Sequence, residues 1–256
     1  MRGLGSANLA WAGAVTAMLM ATLPAHAGPL PFNLGDELFP HAPKGPAVGL
    51  YQDNGTDPPF VLDRSTTLVL MRFDQSNEVW LLTAQPAPRG DMIYRNDAGE
   101  PMLRATRLGG MTLFTLDHPE GTPVAFVGDA APLRPSPPVT TPAALLQRLA
   151  QASAHASHAV QRLIVFEARD VTPQSATLIA DAAGVTSEAI VSITRRADGR
   201  KVLARLAKVL LSPGHKASVD LVNGVLLVVV APRNAPGFAD IAGRPSSRRI
   251  ELAFDR

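Results

Sequence analysis

Residues 60–116 constrain the fold more than any other part of the chain. They read FVLDRSTTLVLMRFDQSNEVWLLTAQPAPRGDMIYRNDAGEPMLRATRLGGMTLFTL. Short apolar runs alternate with polar breaks rich in Gly, Pro, Asn and Asp, and no helical period runs through them. That pattern predicts consecutive antiparallel strands. Residues 66–73 are apolar or β-branched on both sides of the pleat, so both faces of that strand should be covered. Asp74, Gln75, Ser76 and Asn77 offer a turn through short polar side chains. A second strand, 78–83, should end at Pro86, Pro88 and Gly90, because proline lacks the ladder donor. Strands are expected at 91–95, 100–105, 111–116 and 122–127, with a turn at Asn96, Asp97, Ala98 and Gly99. A meander of roughly six or seven strands predicts an antiparallel β-domain over 60–130, a small sandwich or a partly open barrel.

The first 27 residues read as an export signal. Arg2 gives a minimal basic start, 9–23 is apolar, Pro24 breaks it, and Ala25-His26-Ala27 is a small-x-small cleavage site. The expected destination is bacterial, periplasmic or extracellular, with no membrane span after cleavage. The chain has no cysteine, which excludes a lipoprotein anchor, disulfides, thiolate metal sites and a cysteine nucleophile. Its formal net charge of +2 falls to +1 once Arg2 leaves. So balanced a chain makes no electrostatic case for nucleic acid. Residues 28–59 are a Pro/Gly-rich arm, with a short first strand expected at Gly49-Leu50-Tyr51.

The prolines of 131–142 mark a stiff extended linker. An α+β domain over 143–236 should follow. Thr141-Pro142 has the form of a helix start, and Leu145, Leu146, Leu149 and Ala152 form an apolar helix face. A strand is expected over 160–168. A helix should be capped near Thr172-Pro173 and end at Gly184, and another should run from Thr186 to Ile193. Residues 201–211 read as helix by spacing. Asn223-Gly224 between two apolar runs predicts a hairpin that pairs Val222 with Val225, Leu221 with Leu226 and Asp220 with Leu227. Asp220 then belongs at a sheet rim or beside a base. A basic tail, 237–256, carries Arg244, Arg248, Arg249 and Arg256 and is expected to be solvated.

Catalytic spacing is weak. His155 and His158 share a helical face but lack the further ligands that zinc needs, so no metal or cofactor is expected. Asp63-Arg64-Ser65 lacks the glycines of a nucleophile elbow and reads as a strand-end turn. Arg89-Gly90-Asp91 reads as turn chemistry. Leu108-Gly109-Gly110 lacks the Lys-Ser/Thr of a phosphate loop. Trp80 and Tyr94 read as core or rim aromatics. The β-domain arginines are the better candidates, since a guanidinium fork matches carboxylate or phosphate. Arg72, Arg95 and Arg104 are the ligand-binding candidates among them, against a background of mutual pairing with interleaved acids.

Four strings resemble an exported proteobacterial family described only as a domain of unknown function: FVLDRS (60–65), RGDMIYRND (89–97), LRATRLGGMTLFT (103–115) and GRPSSRRIE (243–251). The resemblance covers most of the chain after the leader. It implies an alphaproteobacterial envelope protein, and no activity, cofactor or site residue. The leading expectation is therefore an exported, non-catalytic binding or scaffolding protein with an envelope partner. One alternative is an exported hydrolase assembled from distant residues with Asp63, Asp74, Asp91 or Ser65 as members, which two close carboxylates in a concave pocket, or a serine within hydrogen-bond reach of His118, would favour. Another is a sensor of small anions using the strand arginines.

Overall fold

The computed structural model describes residues 46–233 and 241–255. All of them lie in one compact unit spanning Gly35–Arg256. The expected leader, residues 28–45 of the arm, 234–236 of the expected α+β domain, and 237–240 and 256 of the tail lie outside the described residues.

The meander closes. Eight antiparallel strands form a barrel in sequence order: β1 (Val48–Gln52), β2 (Phe60–Asp63), β3 (Val69–Phe73), β4 (Trp80–Ala87), β5 (Asp91–Arg95), β6 (Pro101–Ala105), β7 (Met111–Leu113) and β8 (Thr122–Asp129). β1 comes from the arm, as its apolar trio suggested, and pairs with β8 to remove both free edges. The expected β-domain is present, and closure corrects the expectation of a sandwich or a partly open barrel. The interior is filled with side chains, among them Tyr51, Phe60, Met71, Trp80, Met92 and Leu103. β3 is covered on both faces: Val69, Met71 and Phe73 point inward, while Leu70 packs outside against Val79 and Leu133. β4 runs on through Pro86, where a break was expected. Its pairing with β3 covers only Trp80 to Leu82, and Pro86 sits farther along, paired with Met92 of β5. The missing donor there deprives no β3 partner.

A four-stranded sheet follows, in the order β11-β12-β10-β9: β9 (Val165–Ala168), β10 (Lys208–Pro213), β11 (Ser218–Val222) and β12 (Val225–Val230). β9, β10 and β12 are parallel. β11 and β12 form the Asn223-Gly224 hairpin in the expected register, with Asp220 opposite Leu227. Asp220 is exposed on an edge strand, which is the rim placement. Helices α1 (Pro142–Val160), α2 (Ala176–Arg195), α3 (Gly199–Leu203) and α4 (Ser247–Phe254) complete the layer.

Thr141 caps α1 by accepting from the Ala144 amide, with Pro142 in the first turn. Leu145, Leu149 and Ala152 are buried as expected, whereas Leu146 is 66% exposed. α1 extends to Val160, so β9 starts at Val165, later than the sequence suggested. α2 is continuous through Gly184. A glycine inside a helix costs about 1 kcal/mol, and the buried Ile179, Ala182, Ala183, Val185 and Ile190 outweigh that. Thr186 does not start a new helix; its hydroxyl donates back to the Ala182 carbonyl. α2 is long and apolar enough to cross a membrane by length and composition, which the sequence reading missed, and two-thirds of its apolar window is buried inside the fold. Residues 201–211 divide between the short α3 and β10 instead of forming one helix.

The tail is likewise not a solvated strand of charge. Ile250, Ala253 and Phe254 of α4 enter the core of the layer. Each large apolar side chain buried this way contributes about 1.5–3 kcal/mol.

Candidate functional site

Chain segments far apart in sequence enclose a cleft of about 540 Å³. Its barrel wall is the end of β3 and the turn into β4. Its second wall is the proline-rich connector, which is extended but pinned. There the Leu133 amide donates to Asp63 at 2.8 Å, the Ser136 hydroxyl to Asp181 at 3.1 Å, and the Val139 amide to Thr177 at 2.9 Å. The third wall is helical. Arg148, Gln151 and His155 follow the i, i+3, i+7 stripe of α1. Thr177, Asp181, Gly184 and Glu188 follow the corresponding stripe of α2.

Beneath the cleft sits Arg244, 2% exposed at its side chain. Its Nε donates to Asp181, one terminal nitrogen donates to Glu78 at 3.4 Å, and the other donates to the Val79 carbonyl at 2.9 Å. One guanidinium thus ties β4's approach to α2. Burial alone would weaken the Arg244 cation, but Asp181 and Glu78 override it and raise its pKa. Glu78 also accepts from the Ser247 amide at 3.0 Å. Its burial pushes its pKa from an ordinary 4.5 up to about 7, against the opposing pull of Arg244. The physical cause is desolvation, which disfavours the charged carboxylate, and the nearby Glu188 carboxylate adds to the rise. The next residues of the same segment continue the clamp. Ser246 bonds Asp97, and Arg248 grips Glu100 through two nitrogens at 2.8 and 2.9 Å. That grip holds Glu100 below the usual carboxylate range.

The three carboxylates that line the cleft are all engaged. Glu78 and Asp181 hold Arg244, and Glu188 accepts from the Ser76 hydroxyl at 2.7 Å and the Asn77 amide at 3.4 Å. The cleft's arginines are not. Arg72 on β3, Arg134 on the connector and Arg148 on α1 line it, and no guanidinium among them has a hydrogen-bond or ion-pair partner among the described residues. The Nε of Arg72 is, in addition, shielded from solvent with nothing to donate to. A buried donor left this way costs about 1–3 kcal/mol.

Of the three arginines singled out from sequence, only Arg72 reaches this cleft. Arg104 is paired with Asp91 at 2.5 Å and holds that carboxyl low. Arg95 donates to Gln85 at 2.9 Å and to the Gly99 carbonyl at 2.8 Å. Arg104 thus follows the background of pairing with acids, while Arg95 is taken up by neutral acceptors. Sequence reasoning missed Arg134, Arg148 and Arg244. Arg148 stands between Leu145 and Leu149 on the polar side of an amphipathic helix, which was legible. Its meeting with Arg72 was not, because no local spacing encodes it.

The hydrolase constellation does not assemble among the described residues. Ser65 donates to Asp63 at 2.6 Å, as a strand-end turn should. Asp91 is held by Arg104, and Asp74 is exposed. His118 meets Asp57 at 3.2 Å, with Thr115 as the third member, and no serine bonds it. His155 lies 3.4 Å from Ser187, but the Ser187 hydroxyl donates into its own helix at the Gly184 carbonyl. No group of three metal-ligating side chains occurs among the described residues.

Residues 36–254 match the model of a family described as a domain of unknown function (DUF4908). No curated protein and no solved structure matches the chain.

Proposed function

This chain belongs to the DUF4908 family, and from that premise we propose that it is an exported, non-catalytic binding protein whose cleft takes a small anionic molecule. The observation that carries the reading is the charge imbalance of the cleft. Arg72, Arg134 and Arg148 face it without partners among the described residues, while Glu78, Asp181 and Glu188 are engaged by protein donors. Guanidinium forks left open on a concave surface favour carboxylate or phosphate oxygens. A volume of about 540 Å³ suits one such molecule. The leader over 1–27 supports export to the bacterial periplasm or beyond. Binding is favoured over chemistry because the hydroxyl nearest a base in the cleft, that of Ser187 beside His155, donates to the Gly184 carbonyl of its own helix instead of to the ring.

Native mass spectrometry of protein purified from the cell envelope tests both parts at once. The expected spectrum shows a chain beginning at Gly28 with a bound small molecule, and the adduct disappears in the Arg72→Gln/Arg148→Gln double variant. A chain beginning at Met1 would overturn export. An adduct indifferent to the double substitution, or none in any preparation, would overturn the cleft as the site.

A further inference from the structure

The distribution of charge and apolar surface in the cleft says more about the ligand than its sign. We propose that the cleft is built for an amphipathic anion with two or more negative charges: a phosphate monoester or a dicarboxylate joined to an apolar body. This rests on the reading of the cleft as an anion site and narrows it.

The open guanidiniums belong to three separate segments: a barrel strand, an extended connector and a helix. Each fork can take two oxygens. A single carboxylate satisfies one fork in full and leaves two cations without a counter-charge. Either the three oxygens of a phosphate monoester, which carries nearly two charges at neutral pH, or a pair of carboxylates engages more than one wall. The engaged carboxylates cannot release the arginines from this demand. Asp181 is bonded from above by Ser136 and from below by Arg244. Glu188 is bonded by the β3–β4 turn. The same engagement leaves no acid free to recognise a cationic ligand. Protonation of Glu78 removes a negative charge from this wall and tips the balance further towards anions.

Beside neutral polar side chains such as Asn77, Gln151 and Thr177, the lining has an apolar part: Val79, Val139, Val185, Ala152 and Ala180. An inorganic anion alone would leave that surface wetted. An apolar body buried against it gains about 25 cal/mol for each Å² removed from water. Charge at one end and hydrocarbon at the other fit the lining together.

Calorimetric titration of the full chain with four probes tests this: decyl phosphate, sebacate, decanoate and inorganic phosphate. Decyl phosphate and sebacate are expected to bind at least about tenfold tighter than decanoate and inorganic phosphate. The Arg72→Gln/Arg148→Gln variant should lose at least about tenfold for both dianions with a melting temperature no lower than the parent's, because neither guanidinium has a partner to lose among the described residues. If decanoate binds as tightly as decyl phosphate and the variant weakens both, the anion cleft stands and the multiply charged class falls. If no anionic probe binds, or the variant binds like the parent, both readings fall. Co-sedimentation with phosphatidylcholine vesicles, with and without phosphatidic acid, identifies the source of the headgroup. Arginine-dependent capture by the acidic vesicles assigns a lipid, and binding of decyl phosphate without capture assigns a soluble molecule; each supports the class.

Discussion

Glu78 is the residue at which charge, burial and pH meet. Its folded pKa of about 7 lies above the ordinary 4.5. Between those values the native state holds a proton that the unfolded chain has already released. The native state therefore binds more protons in that window, and stability falls as pH rises through it. The difference is at most about 3 kcal/mol. Glu251 is also raised by burial and contributes in the same direction, whereas Asp91 and Glu100 are held low by Arg104 and Arg248 and act in reverse at more acidic pH. Glu78→Gln isolates the single group. Urea midpoints taken at about pH 5 and about pH 7.5 should show the parent losing stability across the interval and the variant losing less. Equal losses in the two proteins would move the titration elsewhere. Nothing in the sequence marked Glu78, which reads as the first residue of an ordinary strand. Its environment is made by Arg244 and Ser247, which lie far along the chain.

At the scale of elements, local chemistry was legible wherever a turn or a cap decides the outcome. The Thr141-Pro142 start and the Asn223-Gly224 hairpin came out in register because each is fixed by residues within a few positions. Gly184 shows where that logic stops. Read locally it is a helix end, but burial on both sides carries α2 through it. The same applies to 201–211: the spacing fits a helix, yet the parallel neighbours β9 and β12 draw Lys208–Pro213 into a sheet. Gly184 also yields a direct test. It has helical neighbours on both sides, and a β-carbon added there meets nothing within 4 Å. Gly184→Ala should raise stability by about 0.5–1 kcal/mol through the unfolded chain's lost freedom. A helix end at this position would give no gain, and chemical denaturation distinguishes the two.

At the scale of the molecule, β-rich and α/β halves were legible, but their joint was not. The segment around Arg244 reads as a basic tail, since arginines, serines and a proline in sequence suggest solvent. In the fold it grips the barrel at Glu78, Val79, Asp97 and Glu100 and sends α4 into the layer's core. Charge that looks solvated in one dimension is internal once Glu78, Asp97 and Glu100 arrive from more than a hundred positions away. A clamp of this kind makes the barrel and the layer unfold together. Arg244→Met leaves Asp181 and Glu78 facing each other without their cation, and breaking a buried pair in this way costs about 3–5 kcal/mol. Trp80 lies in the barrel, and the only other tryptophan, Trp11, lies in the leader. In a Trp11→Phe background, fluorescence therefore follows the barrel, while circular dichroism at 222 nm follows mainly the helices of the layer. The two denaturation curves should coincide in the parent, and in Arg244→Met both should shift to lower denaturant. A barrel that keeps its midpoint while the helices melt early would show that the two parts are held by something other than this arginine.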